Sequence, residues 1–123
     1  MQADVARTKA YYASISPSSL CDCAYCRNYR AQIRAAFPKI AAYLGSLGVD
    51  IEKPLENSPL EPDEKGMLEY CCCQYVVFGA CEPEYRHWID QVEFRPAASY
   101  PGTNIEEAHF VIEFFGIQLS YGA

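Results

Sequence analysis

Six apolar side chains, Tyr29, Ile33, Phe37, Ile40, Leu44 and Leu47, recur at spacings of three and four, the period that lines them up on one face of a helix. A stripe of that length has to be covered, so the chain must supply an apolar sheet face or further helices to lie against it. Pro38 falls within the stripe; lacking an amide proton and clashing with the preceding turn, it either kinks one helix or opens a second, and both arrangements keep the stripe. Ser18, Ser19 and Asp22 can accept hydrogen bonds from the free amides of a starting helix, and Asp22 also suits the positive end of the helix dipole. Gly48 is suited to a left-handed stop, with Val49 placed for the apolar contact that accompanies such caps. The helical region is expected over residues 22–48.

Downstream, residues 66–79 are rich in aromatic and β-branched side chains between two glycines, which reads as a strand. Strict alternation would put Leu68, Tyr70, Cys72, Val76 and Phe78 on one face. Residues 86–94 and 109–119 read as two further strands across the turn-rich stretch 96–103. Residues 3–15 end at Ser16-Pro17-Ser18-Ser19, a turn cluster, and with Tyr11 and Tyr12 they read as a strand in preference to a short helix. The stretch 50–65 carries Pro54, Pro59 and Pro62 among five acidic residues after Asp50 and is expected to be an exposed connection. Strands in close succession favour antiparallel pairing. The expected class is therefore α+β: one kinked or split helix packed on a mainly antiparallel sheet of three to four strands. At 123 residues the chain fits a single domain, 1–123, able to bury roughly two-thirds of its unfolded surface without staples. No internal repeat is visible.

Charge is divided unevenly. Residues 1–48 carry six basic against two acidic side chains, and residues 49–123 four basic against fourteen acidic, for a net charge of −6. An acidic total speaks against nonspecific nucleic-acid binding, which needs Lys and Arg to displace counterions from phosphate. Arg27, Arg30 and Arg34 share a helix face; such a face is ordinarily solvated, or here paired with the chain's own acidic half. No apolar run approaches the ~20 residues that span a bilayer, so no membrane association is expected. Residues 1–7 show no apolar signal core, and the chain is expected to stay in the cytoplasm. There, thiols remain reduced, and an odd number of cysteines, seven, leaves one unpaired in any disulfide scheme.

Three of the seven lie within six residues, Cys21-Asp22-Cys23-Ala24-Tyr25-Cys26. Thiolates from a tight loop and a helix start suit a tetrahedral zinc site, which would make Cys21, Cys23 and Cys26 metal ligands. The fourth ligand would come by tertiary contact, with Cys81, flanked by Gly79 and Pro83, the most loop-like of the remaining candidates. Cys23-Ala24-Tyr25-Cys26 is also a Cys-x-x-Cys where a helix dipole would acidify the first thiol. It resembles the thioredoxin motif in spacing alone, without the βαβ context that would make it informative. Cys71, Cys72 and Cys73 read as small buried hydrophobes on a strand, where at most Cys71 and Cys73 share a face. His87 and His109 read as strand-end residues, and nothing positions a catalytic base.

The string Cys21-x-Cys23-x-x-Cys26-Arg27-Asn28-Tyr29, followed by Phe37-Pro38, Leu47-Gly48-Val49-Asp50 and Lys53-Pro54, resembles an uncharacterised family of small bacterial domains over residues 11–54. The resemblance implies a compact cytosolic bacterial domain and brings no activity, cofactor or catalytic residue with it.

Three functional readings follow. The first is a non-catalytic interaction module whose acidic C-terminal half meets a basic protein partner. The second is a zinc-stabilised module built on Cys21, Cys23 and Cys26. The third is a thiol-dependent redox protein centred on Cys23. An uncovered apolar sheet face would make a homodimer of any of them.

Overall fold

The structure is a computed structural model that describes residues 1–121. In chain order the elements are β1 (Gln2–Ala3), α1 (Val5–Ser14), a short 3-10 turn at Pro17–Ser19, α2 (Ala24–Ala36), α3 (Pro38–Ser46), β2 (Glu56–Pro59), β3 (Met67–Ala80), β4 (His87–Ile89), β5 (Val92–Pro96) and β6 (His109–Ser120). The class is α+β, and every strand pair is antiparallel. The sheet has six strands rather than three to four, in the order β1-β3-β6-β5-β4, with β2 also paired to β3. Among the described residues, no helix is long and apolar enough to cross a membrane.

The central stripe takes its expected place. Tyr29, Ile33, Ile40 and Leu44 are all buried, and Leu47 nearly so, against Leu68, Tyr70, Tyr75, Phe94, Ile112 and Phe114 of the sheet. At Pro38 the chain makes two helices, not one kinked rod: Phe37 leaves helical geometry at φ −131°, ψ 68°, and Pro38 opens α3. Gly48 then adopts φ +90° while the Val49 amide reaches back to the Leu44 carbonyl at 3.0 Å. A Cβ at Gly48 would stand 2.5 Å from the Val5 carbonyl oxygen, so the glycine also lets α3 end directly against α1.

Three expectations are corrected. The stretch 3–15 is mostly helix, not strand: Val5–Ser14 form α1, and only Ala3 belongs to a strand, β1. Asp4 caps it by accepting the Arg7 amide at 3.0 Å, and Thr8 and Tyr12, one helical turn apart, are the buried face. The stretch 50–65 is not merely an exposed connection, because Ile51 is fully buried and residues 56–59 form the edge strand β2.

The third correction concerns the faces of β3. Its core-facing residues are Leu68 and Tyr70, then Cys73, Tyr75 and Val77, and β6 mirrors the change with Phe110, Ile112 and Phe114, then Ile117 and Leu119. Both strands switch phase between the Tyr70–Ile117 and Cys72–Phe115 pairs. Gly116, at φ +68°, supplies the backbone turn that the switch requires. Cys72, Val76 and Phe78 consequently leave the face that carries Leu68 and Tyr70. Val76, Phe78 and Val111 form a second, smaller cluster on the reverse face, under Tyr11, Leu55, Ala97 and Ile105.

Basic side chains of the first half pair with acidic ones of the second, which keeps an acidic excess. Arg34 bonds Asp50 at 3.1 Å and Glu52 at 2.8 Å, and Arg7 grips Glu107 at 2.7 Å. Arg27 stands 3.9 Å from Asp22, while Arg30 donates to the Cys21 carbonyl at 2.7 Å. The arginine face of α2 is thus occupied by local contacts. These pairs are exposed, so each contributes at most a fraction of a kcal/mol up to about 1 kcal/mol.

Candidate metal centre

The chain entering α2 bends so that three sulfurs meet. Ser16 caps the 3-10 turn at Pro17–Ser19, which brings Cys21 back toward the start of the helix, and Arg30, two turns in, holds the Cys21 carbonyl. Cys23 is the N-cap residue of α2: its Sγ accepts the Cys26 amide at 3.4 Å, the position in which Ser, Thr or Asp ordinarily serves. The Sγ atoms of Cys21, Cys23 and Cys26 all lie within 4.8 Å of one another. In a tetrahedral thiolate site with metal–sulfur bonds of ~2.3 Å, neighbouring sulfurs stand roughly 3.8 Å apart. Closing the group around an ion draws the sulfurs together by about an ångström.

The electrostatics single out Cys23. Its thiol is held below the ordinary thiol range, chiefly by the Cys26 amide and further by the neighbouring thiols and the Tyr25 amide. Cys26 moves the other way, pushed up to about 12 by burial and by the proton it contributes to its sulfur neighbours. Cys23 is therefore the thiol of the cluster that gives up its proton most readily, and Cys26 the one that holds its proton longest. Metal binding would displace the remaining protons, since coordinating thiols are deprotonated outright.

The helix behind the cluster is fastened to the sheet. Asn28 donates to the Ser120 carbonyl at 2.9 Å, Gln32 to the same carbonyl at 2.6 Å, and the Tyr70 hydroxyl donates to the Tyr25 carbonyl. Tyr25 in turn donates to Glu61 at 3.0 Å. A cleft of about 150 Å³ opens beside the sulfurs, walled by Leu20, Cys21, Cys26, Arg30, Leu55 and Asn57. Cys21 and Cys23 are exposed, and Cys26 is half-buried.

The other cysteines do not join the group. Cys81, the candidate fourth ligand, follows β3 with its Sγ 3.6 Å from the Glu82 carbonyl and lines a separate cavity with Arg86 and Arg95. Cys73 is wholly buried in the core, Cys71 turns toward Glu69 and Cys72 toward Glu113, so Cys71 and Cys73 share no site. His87 stacks on Tyr43 at 4.1 Å. His109 bonds Thr103 at 2.9 Å and the Glu107 carbonyl at 2.8 Å. Both histidines serve the packing of strand ends. Among the described residues, then, the cluster offers three protein ligands and one open position.

The chain was compared with protein-family models, with curated proteins and with solved structures, and nothing matches it.

The thiol chemistry predicts an order of reactivity. At neutral pH iodoacetamide should modify Cys23 first, because the thiolate is the nucleophile and this sulfur is both acidified and exposed. Cys26 should lag behind it, and the buried Cys73 should stay unmodified until the protein unfolds. Peptide mapping by mass spectrometry reads the order; Cys73 reacting as fast as Cys23 in folded protein would contradict it.

Proposed function

We propose that the chain is a small metal-binding module in which Cys21, Cys23 and Cys26 hold one thiophilic ion, zinc in the first instance, with its fourth position open to solvent or to an outside ligand. The observation that carries the reading is the convergence of three Sγ atoms within 4.8 Å at a loop leading into a helix. Closed structural zinc sites have four protein ligands, whereas an open position marks sites that exchange or act on a bound ligand. The exposure of Cys21 and Cys23 fits the second type. Soft thiolate donors also favour Cu(I) and Zn(II) over the hard cations that carboxylates select.

Protein prepared without chelators should contain about one zinc per chain by elemental analysis, and Cys23→Ser should lose it. Because a ligand at a hundred times its Kd stabilises the native state by about 2.7 kcal/mol, chelation should lower Tm by about 10 °C. Metal-free protein whose Tm ignores added zinc would remove the reading.

The acidified Cys23 beside Cys26 supports a second reading, a dithiol that cycles through a Cys23–Cys26 disulfide, with Cys23 as the attacking thiolate. The same preparation distinguishes the two. Stoichiometric zinc with three free thiols favours the metal module, whereas metal-free protein that yields a Cys23–Cys26 disulfide in a glutathione redox buffer favours the dithiol.

A further inference from the structure

On the face of the sheet opposite Cys73 and Tyr75, three strands place three polar residues on one rung. Gln74 of β3 is the Cα partner of Glu113 in β6, and Glu113 is the Cα partner of Arg95 in β5. Residues opposed in this way have Cβ atoms about 5 Å apart, and here the side chains bond across the rung. Gln74 Nε2 donates to Glu113 Oε1 at 2.8 Å, and Arg95 Nε donates to Glu113 Oε2 at 3.1 Å. The Cys72 thiol approaches Oε1 at 3.7 Å, and Gln74 also donates to the Ser99 carbonyl at 3.0 Å. Glu113 is only 7 % exposed. Burying a carboxylate is costly unless it is paired and hydrogen-bonded, and this one is steadied by Gln74 and Cys72 at one oxygen while the other holds the near end of a guanidinium.

The far end of that guanidinium is free. Arg95 lies over the Phe115 ring at 4.4 Å, and its terminal nitrogens donate to no other described residue. It borders a cavity of about 620 Å³ together with Cys81, Pro83, Arg86, Ala97 and Phe110. Arg86 is fixed in a similar way: one terminal nitrogen donates to the Pro83 and Tyr85 carbonyls at 3.0 and 2.7 Å. Glu93 stands 3.9 Å from its Nε, beyond hydrogen-bond distance. Two arginines, each immobilised from behind, therefore face a cavity whose other walls are largely apolar.

We propose that this cavity binds a small organic monoanion, a carboxylate on an apolar body. Its size falls within the range that takes small molecules, in which apolar walls hold the body and a few placed polar groups orient it. Guanidinium groups match the planar, two-oxygen geometry of a carboxylate. Charge limits the ligand to a monoanion: the walls carry Arg86 and Arg95 against Glu113, and Glu93, 3.9 Å from Arg86, offsets the positive charge further, so a second negative charge on the ligand would go unmatched. Orienting Arg95 is then the reason for keeping a carboxylate on a covered face of the sheet. The site shares no residue with the sulfur cluster and stands or falls separately from it.

Benzoate is the probe. Titration of the full chain followed by amide and arginine Nε–H NMR should give saturable shifts at Ala97, Ala98, Arg86 and Arg95, and bound benzoate should slow the alkylation of Cys81. Arg95→Gln should weaken binding about tenfold or more, in line with the loss of a charged hydrogen bond. Arg86→Gln, at a half-exposed position that does not threaten folding, should weaken it in the same direction. Binding of benzyl alcohol as tight as that of benzoate would overturn anion recognition, and tighter binding of phenyl phosphate would overturn the single-charge assignment. The absence of saturable shifts at tens of millimolar benzoate would overturn the site altogether.

Discussion

Phe114→Ala is expected to destabilise the domain by about 3–5 kcal/mol, the range for removing a large aromatic side chain from a packed core, whereas Phe115→Ala, one residue along, should cost about 1 kcal/mol or less. Phe114 is wholly buried on β6. It stacks on Tyr75 at 6.0 Å and meets Phe94 at 5.0 Å, and its Cα partners are Cys73 on β3 and Phe94 on β5. It is the point where three strands converge beneath the stripe of α2 and α3, and the surrounding rings cannot close over the cavity without moving those strands. Phe115 looks the other way, is half-buried, and is capped by the Arg95 guanidinium, an exposed cation–π contact contributing roughly 0.5–1 kcal/mol. Urea unfolding measures both variants through a shift in midpoint at constant slope. Similar losses for the two would show that β6 is in the wrong phase at this rung, and with it the whole inward set of the sheet.

That phase is also where the amino-acid pattern stopped being readable. Alternation followed along β3 from Leu68 carries Cys72, Val76 and Phe78 onto one face, and nothing local to β3 announces the switch. The signal sits forty-five residues away in Gly116, whose positive φ lets β6 change faces and takes its partner with it. The helical stripe needed no such partner. Period alone aligned Tyr29 with Leu44, Pro38 could only kink or start a helix, and Gly48 was suited to little but a stop. Residues 3–15 were misread because Tyr11 and Tyr12 favour strands, while the counter-signals, an Asp4 cap and the one-turn pair Thr8 and Tyr12, were weaker than the context that confirmed them. In β2, Pro59 and Glu56 masked an edge strand, which is where proline and charge are tolerated in a sheet. Residues 86–94 held two strands, because Asp90 adopts φ 53° and turns β4 into β5 over two residues.

The same division between local and distant information separates the two sites. Cys21, Cys23 and Cys26 lie within one turn of loop and one turn of helix, so their spacing was enough to suggest convergence. Membership of Cys81 depended on tertiary placement, and the fold carries it to a different cavity. The rung of Gln74, Glu113 and Arg95 joins residues from three strands through register, and no spacing along the chain foretells it.

The largest response to solvent is expected at alkaline pH. Tyr12, Tyr29 and Tyr75 are each at least 97 % buried, and burial, the leading cause in all three, drives their hydroxyls well above the ordinary tyrosine range. Their protons are in use. Tyr12 donates to the Val76 carbonyl at 2.8 Å and Tyr75 to the Ile51 carbonyl at 2.8 Å, which leaves Tyr75 to accept from Tyr29. In the unfolded chain the same groups ionise near pH 10. Above that pH these three groups hold three more protons in the native state than in the unfolded state, so their ν_U − ν_N is negative and stability falls as pH rises; below it they make no pH-dependent contribution. The slope is about 1.4 kcal/mol per pH unit for each group, about 4 kcal/mol for the three, and Cys73, raised by burial, joins from the ordinary thiol range near 8.5 upward. Against a total stability of 5–15 kcal/mol, this should unfold the domain cooperatively within about one to three units above pH 10. The exposed tyrosines will ionise first; absorbance at 295 nm from the buried three should then rise together with the loss of far-ultraviolet dichroism. Tyr75→Phe strands the Ile51 carbonyl and lowers stability at pH 7 by about 1–3 kcal/mol, yet should flatten the alkaline slope by about a quarter, since one of four titrating groups is gone. A smooth titration of all ten tyrosines near pH 10 with unchanged dichroism would mean that the hydroxyl chain from Tyr29 through Tyr75 to Ile51 is open to water, and the core described between helices and sheet would have to be repacked around it.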